Sequence, residues 1–344
     1  MKNYYGKFVT KAQGSGTRGK FNCLFVVSLC VMIVVLTTCD NFMVKRILPT
    51  NGESGSAAKF VAVSDNGEYA YSYDGTRWEK GIMPSASRLI TFGNGVFLGI
   101  VYFGWPYSFY SYYSNDGKTW KQGESILGVI SCVNFGNGLF VGIDSNEEIK
   151  SFRSVDGINW TPGVTTFSKY ISWCKPVFGK DKFVTVGYRH SSASTPSERA
   201  AYTTDGLNWT FVLMPGNTGY PGTQWRSIAY GNDIFVAIAD EMAAYSSNGI
   251  AWTQFTLPIN GLLTFGNDRF LIISANKAAY SFNGKDWTIV DIPNGIWRDI
   301  TYGNGKFVVV GDLKGAYSTD GIDWIEITMP IPGKVWQGIA YGEK

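Results

Sequence analysis

Past residue 57 the chain is a succession of short apolar runs separated by turns that carry Gly, Asn and Asp. One recurring piece reads aromatic-Gly-Asn-Gly-x-Phe and then apolar residues, as in TFGNGVFLGI (91–100), AYGNDIFVAI (229–238) and TYGNGKFVVV (301–310). A second piece closes each unit: YSYDGTRW (71–78), YSNDGKTW (113–120), FRSVDGINW (152–160), YTTDGLNW (202–209), YSSNGIAW (245–252), YSFNGKDW (280–287) and YSTDGIDW (317–324). The hydroxyl that opens the motif is Ser72, Ser114, Ser154, Thr203, Ser246, Ser281 and Ser318, so successive copies lie 35 to 49 residues apart. A period in that range is one supersecondary unit.

Each unit predicts four short strands. The first is of the W-R-x-I-x-Y type, a G-N-G turn leads to a second of the K-F-V-x-V-G type, a variable loop reaches A-Y-S, and a D-G turn leads to a fourth beginning at Trp. Gly in the two tight turns is expected to supply positive φ. Four antiparallel strands with aromatics to pack between repeats make a propeller blade. Trp336 to Gly342 is a first strand without a second, and Lys59 to Val63 is a second strand without a first. Joined, they complete one repeat and remove the exposed sheet edges. The expectation is an all-β fold over 58–344: a seven-bladed β-propeller of four-stranded antiparallel blades, its ring closed by a composite blade from both termini.

Composition agrees with a β-rich globular body, with 16% aromatic residues, 17% charged residues and 41 Gly. The formal charge of +3 misleads. Lys2, Lys7, Lys11, Arg18 and Lys20 lie in residues 1–38, where there is no acid, so removing five charges leaves the remainder at −2. No basic face for nucleic acid is indicated. That basic stretch precedes an apolar run from Phe21 to Val35, which reads as an export signal over 1–38. Leu36-Thr37-Thr38-Cys39 resembles a bacterial lipobox, implying acylation of Cys39, a membrane held through that lipid, and a tether over 39–57. An uncleaved signal anchor is the alternative; either places the body outside the cytoplasm, in the cell envelope. Of the five Cys, only Cys132 and Cys174 fall in the body, and two buried thiols are expected there in preference to a disulfide.

The S-x-D-G-x-x-W ending resembles the Asp box of bacterial neuraminidase repeats, shared by sialidases, sortilin-type ectodomains and the propeller assembly factors of photosystem II. The resemblance covers roughly 58–344 and implies that the box sits at the turn between third and fourth strands, away from any catalytic centre. The residues Asp74, Asp116, Asp156, Asp205, Asn248, Asn283 and Asp320 support a structural role. Asn in two copies can still accept hydrogen bonds from the turn, whereas a hard cation would want the carboxylate.

Length varies in the loops between second and third strands and in the links between blades, which strand direction places on one common face. The insertions are Val101–Tyr110, Tyr188–Arg199 and the link Leu213–Gln224. Tyr102, Phe103, Trp105 and Tyr107 crowd the first of them, suggesting a partner surface or a loop folded back on the rim. First strands begin on that face beside the central channel. Five residues before the aromatic of the aromatic-Gly pair stand Trp173, Trp225, Trp297 and Trp336; the next position holds Arg88, Arg226, Arg298 and Gln337. Asp65, Asp144, Asp240 and Asp312 follow the second strands. Two readings of this rim stay open. Either Trp and Arg line a funnel that stacks sugars and grips anions, or Arg and Asp pair while Trp packs between blades.

The resemblance to sialidases implies an arginine triad, which Arg88, Arg226 and Arg298 could mimic, but the F/Y-R-I-P signature is missing and sialidases use six blades. A glycanase would need two facing carboxylates, for which the rim Asp are candidates. The lone His190 has no evident partner. Neither a metal-ligand spacing nor a phosphate loop is found, so no cofactor or metal is expected. The reading is a monomeric, non-catalytic envelope propeller presenting one face to a protein or glycan partner, with a glycoside hydrolase as the alternative.

Overall fold

The computed structural model describes residues 57–343, apart from 104–107, 127, 129, 145–149, 166, 168–170, 190–197, 217–222 and 241. The described chain forms seven antiparallel sheets of four strands each, the fourth carrying its innermost strand in two pieces. It is a seven-bladed β-propeller. Blade one is composite, as expected: Trp336–Tyr341 pairs with Phe60–Ser64, with Phe60 opposite Tyr341 and Ala62 opposite Ile339. Its third and outer strands are Glu68–Ser72 and Glu79–Ile82.

Second strands are the most deeply buried, reading Phe60–Ser64, Leu139–Asp144, Ile234–Ile238, Arg269–Ile273 and Lys306–Gly311, with near-continuous apolar runs. Both their faces meet a neighbouring blade, which is why period-2 alternation is weak there. Outer strands begin one residue after the closing Trp, at Glu79, Lys121, Thr161, Thr210, Thr253, Thr288 and Ile325. The core is divided among clusters between adjacent blades, such as Val184, Val186, Trp225, Ile228 and Phe235 between blades four and five.

The aromatic-Gly pair explains how blades approach. An added Cβ on Gly93 would fall inside the ring of Phe135, on Gly136 against Phe178, and on Gly179 inside Tyr230. The series continues with Gly231 against Phe265, Gly266 against Tyr302, Gly303 against Tyr341 and Gly342 against Phe92. Each glycine is thus the seat for the next blade's aromatic, and the seventh contact closes the circle. These glycines are needed for space and not for φ; the positive φ expected of the tight turns is supplied by other glycines, Gly95, Gly138 and Gly305 after the Asn and Gly75, Gly117, Gly157, Gly206, Gly249, Gly284 and Gly321 in the closing motif. In the turn itself the left-handed positions fall to Asn94 (φ 47) and Gly95 (φ 75), Asn being among the few non-glycine residues that visit this region routinely.

Those turn asparagines also clasp the neighbouring blade. Asn94 Nδ2 donates to the carbonyls of Gly138 (3.1 Å) and Val155 (2.7 Å), and Asn232 Nδ2 does the same to Asp268 and Phe282. Arg153 and Arg269 add bonds to the carbonyls of Asp205 and Asp320. This face of the ring is closed by inter-blade hydrogen bonds.

The motif turns share one geometry. Asp116 Oδ1 accepts the backbone N–H groups of Lys118 (2.8 Å) and Thr119 (2.7 Å). Asp74, Asp156, Asp205 and Asp320 repeat this at their own turns. Asn248 and Asn283 accept the same pair through the amide oxygen at 2.9 Å. The opening hydroxyl accepts from Gly at four of these turns and Thr203 does so at a fifth, as with Ser72 and the Gly75 N–H at 2.9 Å. Burial works to raise the carboxyls of Asp74, Asp116 and Asp156, but the N–H bonds outweigh it and hold them down to about 2.

Two consequences can be measured by thermal and acid unfolding. Asp116→Ala orphans two N–H groups and should lower stability by roughly 1–3 kcal/mol, whereas Asp116→Asn should change it little. Because these carboxyls are depressed below the unfolded value of about 4, their contribution is complete above that pH and is lost as pH falls from about 4 through about 2. A chain with Asn at Asp74, Asp116 and Asp156 should show a flatter stability profile in that window.

Candidate functional site

The rim position after the tryptophan is built by a β-bulge. In blade two Ser87 pairs with Val101 and Leu89 with Ile100, leaving Arg88 as the extra residue. The same shift isolates Ser131 between Ile130 and Cys132, Arg298 between Trp297 and Asp299, and Gln337 between Trp336 and Gly338. A bulge re-aims the extra side chain and leaves it outside the ladder. Arg88, Ser131 and Arg298 are accordingly exposed, at the start of strands that are otherwise largely buried, and Gln337 is half-buried. Arg226 reaches the same place at the entry to Ser227–Gly231, its N–H donating to the carbonyl of Ile238 at 2.9 Å.

Two of these arginines are paired. Arg226 grips Asp240 through Nε to Oδ1 at 2.8 Å and NH2 to Oδ2 at 3.4 Å, and lies 4.9 Å from the ring centre of Tyr188. Arg298 grips Asp312 at 2.8 and 3.2 Å in the same fork. Each pair holds a planar guanidinium at a fixed orientation while keeping it open to solvent. Arg88 is exposed and makes no ion pair or hydrogen bond among the described residues. Asp65 is exposed, whereas Asp144 is buried at 5% exposure, its N–H bonded to the Lys150 carbonyl.

The tryptophans do not face the funnel. Trp225 and Trp336 are fully buried, Trp173 is 7% and Trp297 9% exposed, and each belongs to an inter-blade cluster. Trp173 packs edge-on against Phe167 at 5.2 Å. A stacking platform for sugar needs an accessible face, so these four rings serve packing. Trp105 and His190 lie outside the described residues, as do Cys39 and the leader. The aromatic insertion of blade two extends the hairpin, with Val96–Phe103 pairing with Ser108–Ser114 and Tyr102 opposite Phe109.

Sequence reasoning passed over the apolar neighbours of Arg298. Ile296, two residues before Arg298, and Leu313, next to Asp312, are 61% and 62% exposed. Leu313 is also left-handed, with φ +72, a conformation that costs a non-glycine residue about 1–2 kcal/mol. It is held there from both sides: Asp312 N–H donates to the Ile296 carbonyl at 2.9 Å and Leu313 N–H to the Lys334 carbonyl at 2.8 Å. The only sequence signal was the loop's lack of Gly or Asn where the turn demands one.

Inside the ring, innermost strands satisfy one another's free edges. Cys132 Sγ donates to the Cys174 carbonyl (3.3 Å), Cys174 Sγ to the Trp225 carbonyl (3.5 Å), and Asn134 Nδ2 to the Pro176 carbonyl (2.8 Å). The two cysteines therefore face the same way around the ring, both free, and burial raises both thiols, Cys132 to about 12. Asp299 Oδ2 accepts the Ile339 N–H at 3.0 Å, joining blade seven to blade one. It lines the channel, and burial pushes its carboxyl above the ordinary value, while the charge of Lys175 pulls the other way. Among the described residues, no three His, Cys, Asp or Glu converge as metal ligands.

No family model matches the sequence, and no curated protein does. Solved propellers do match in shape. A streptogramin B lyase structure aligns with TM-score 0.60 and 14% identity over 74% of this chain and 87% of its own. A functionally unknown protein from Desulfotomaculum acetoxidans DSM 771 gives 0.58 and 9% over 83% and 99%. YCF48 bound to D1 peptide gives 0.50 and 14% over 80% and 85%. At such identities the likeness is one of fold.

Proposed function

We propose that this chain is a binding propeller whose loop face docks an extended segment of a partner protein, around Arg298, Asp312, Ile296 and Leu313. The observation that carries the reading is the strained, exposed Leu313 beside an exposed aliphatic residue and an oriented guanidinium. Strain of this kind persists where structure over-determines it, and it clusters at ligand sites. Apolar anchors with a forked Arg at the centre are what protein interfaces select. Arg88, without an acid of its own, would add attraction for an acidic residue of the partner. Burial of the four tryptophans weighs against a glycan. YCF48 bound to D1 peptide is an instance of a propeller of this shape holding a peptide.

The same reading places the propeller outside the cytoplasm, carried on a lipid at Cys39 by the tether 39–57. Its support is the basic stretch, the apolar run Phe21 to Val35 and the Leu36–Cys39 sequence.

Panning a peptide library against the chain tests the docking claim. Selected peptides should bind Leu313→Gly and Arg298→Ala more than about tenfold more weakly. Leu313→Gly should keep or raise Tm, because glycine relieves the left-handed strain. Enriched peptides that bind both variants as well as the parent would overturn the docking site. For the anchor, Cys39→Ser should abolish incorporation of labelled palmitate; undiminished labelling would contradict it.

A further inference from the structure

We propose that the central channel is a second binding site, which takes a small zwitterion, a free amino acid or short peptide, with its carboxylate at Lys175 and its ammonium at Asp299. The channel encloses a cavity of about 450 Å³ that reaches from Phe135, Phe178 and Tyr230 up to Arg226, within the range of roughly 300–1,000 Å³ usual for small-molecule sites.

Lys175 owes its place to an interruption. The innermost strand of blade four breaks between Ile171–Trp173 and Val177–Gly179, where Pro176 has no N–H to give the ladder. The broken stretch is pinned by the Cys174 N–H to Val186 carbonyl bond (2.8 Å) and by Thr185 Oγ1 donating to the Cys174 carbonyl (2.7 Å). Lys175 is exposed, lines the cavity, and makes no hydrogen bond or ion pair among the described residues. At the position equivalent to Lys175 the other blades carry Leu89, Cys132, Ser227, Leu262, Asp299 and Gly338. Only two of the seven are charged, with opposite sign, and they belong to blades four and seven, three steps apart around the ring.

Lys175 and Asp299 share the cavity and feel each other's charge, yet no ion pair joins them. The third charge on the wall, Arg226, is already matched by Asp240 at 2.8 Å. A simple anion would gain at Lys175 and lose at Asp299, and a simple cation the reverse; a zwitterion gains at both ends. Asp299 has both oxygens on backbone N–H groups, at 2.9 and 3.0 Å, which fixes its orientation and leaves further lone pairs for an ammonium.

Calorimetric titration of the full chain with alanine, dialanine and trialanine, and with their N-acetyl and C-amide derivatives, tests the site. At least one zwitterion should bind, and capping either end should weaken it more than about tenfold. Lys175→Met should bind the amide and the free acid alike, and Asp299→Asn should bind the acetylated and free amines alike. Should Asp299→Asn fail to fold, the exposed Lys175→Met decides. Absence of binding by all three zwitterions at about 10 mM would overturn the proposal, as would equal affinity for capped ligands or an unchanged Lys175→Met. The loop-face reading is tested on Leu313 and Arg298, so either can fail alone.

Discussion

Seven aromatic rings seated on seven glycines set the geometry on which everything else in this molecule depends. Phe135 on Gly93, and so on around to Phe92 on Gly342, bring each innermost strand against the next at a separation no Cβ would permit. Interiors packed to this density tolerate little change in volume. The glycine seats draw the turn end of each innermost strand close to its neighbour, and with it the side chains that serve neighbouring edges. Cys132, Asn134 and Asp299 can reach the next blade's backbone because the strands are held so near.

A division between faces follows. At the turn end, Asn94 and Asn232 tie blade to blade, and the Ser-x-Asp/Asn-Gly turns satisfy their own N–H groups. Polar groups there are spent on the scaffold. At the loop end the ladder is broken by bulges at Arg88, Ser131, Arg298 and Gln337, and by the gap at Cys174 to Pro176. Each break frees a side chain. Bulges and breaks cluster where function needs a residue re-aimed, and both the docking surface and the channel charge arise from them.

Blade number, strand order and the composite first blade were legible because repeats are written in residue types that recur at fixed offsets. The rim positions of Arg and Asp were legible too, since Arg226 and Asp240, like Arg298 and Asp312, lie 14 residues apart at the ends of paired strands, though the sequence left open whether they pair or line a funnel. What Trp225 and Trp336 do was not. Arg226 after Trp225 is exposed and Gln337 after Trp336 is half-buried, and only the folded ring, with the register shift at Gln337, shows that Trp turns inward while the next residue turns out. Nor did the blade-two aromatics announce that they lengthen a hairpin, since Tyr and Phe suit a strand and a folded loop equally. Leu313 was invisible for another reason: its conformation is imposed by the Ile296 and Lys334 carbonyls, which meet it only in the folded ring.

The most direct test of the glycine-seat account is a double-mutant cycle on Gly231 and Phe265, read by denaturant unfolding. With Phe265 in place, Gly231→Ala forces a methyl into the ring and should destabilise by roughly 1–3 kcal/mol. In the Phe265→Ala background that penalty should vanish, giving a coupling energy of nearly the same size. An equal cost for Gly231→Ala in both backgrounds would show that the glycine serves its own backbone and not its neighbour's ring, and would contradict the account.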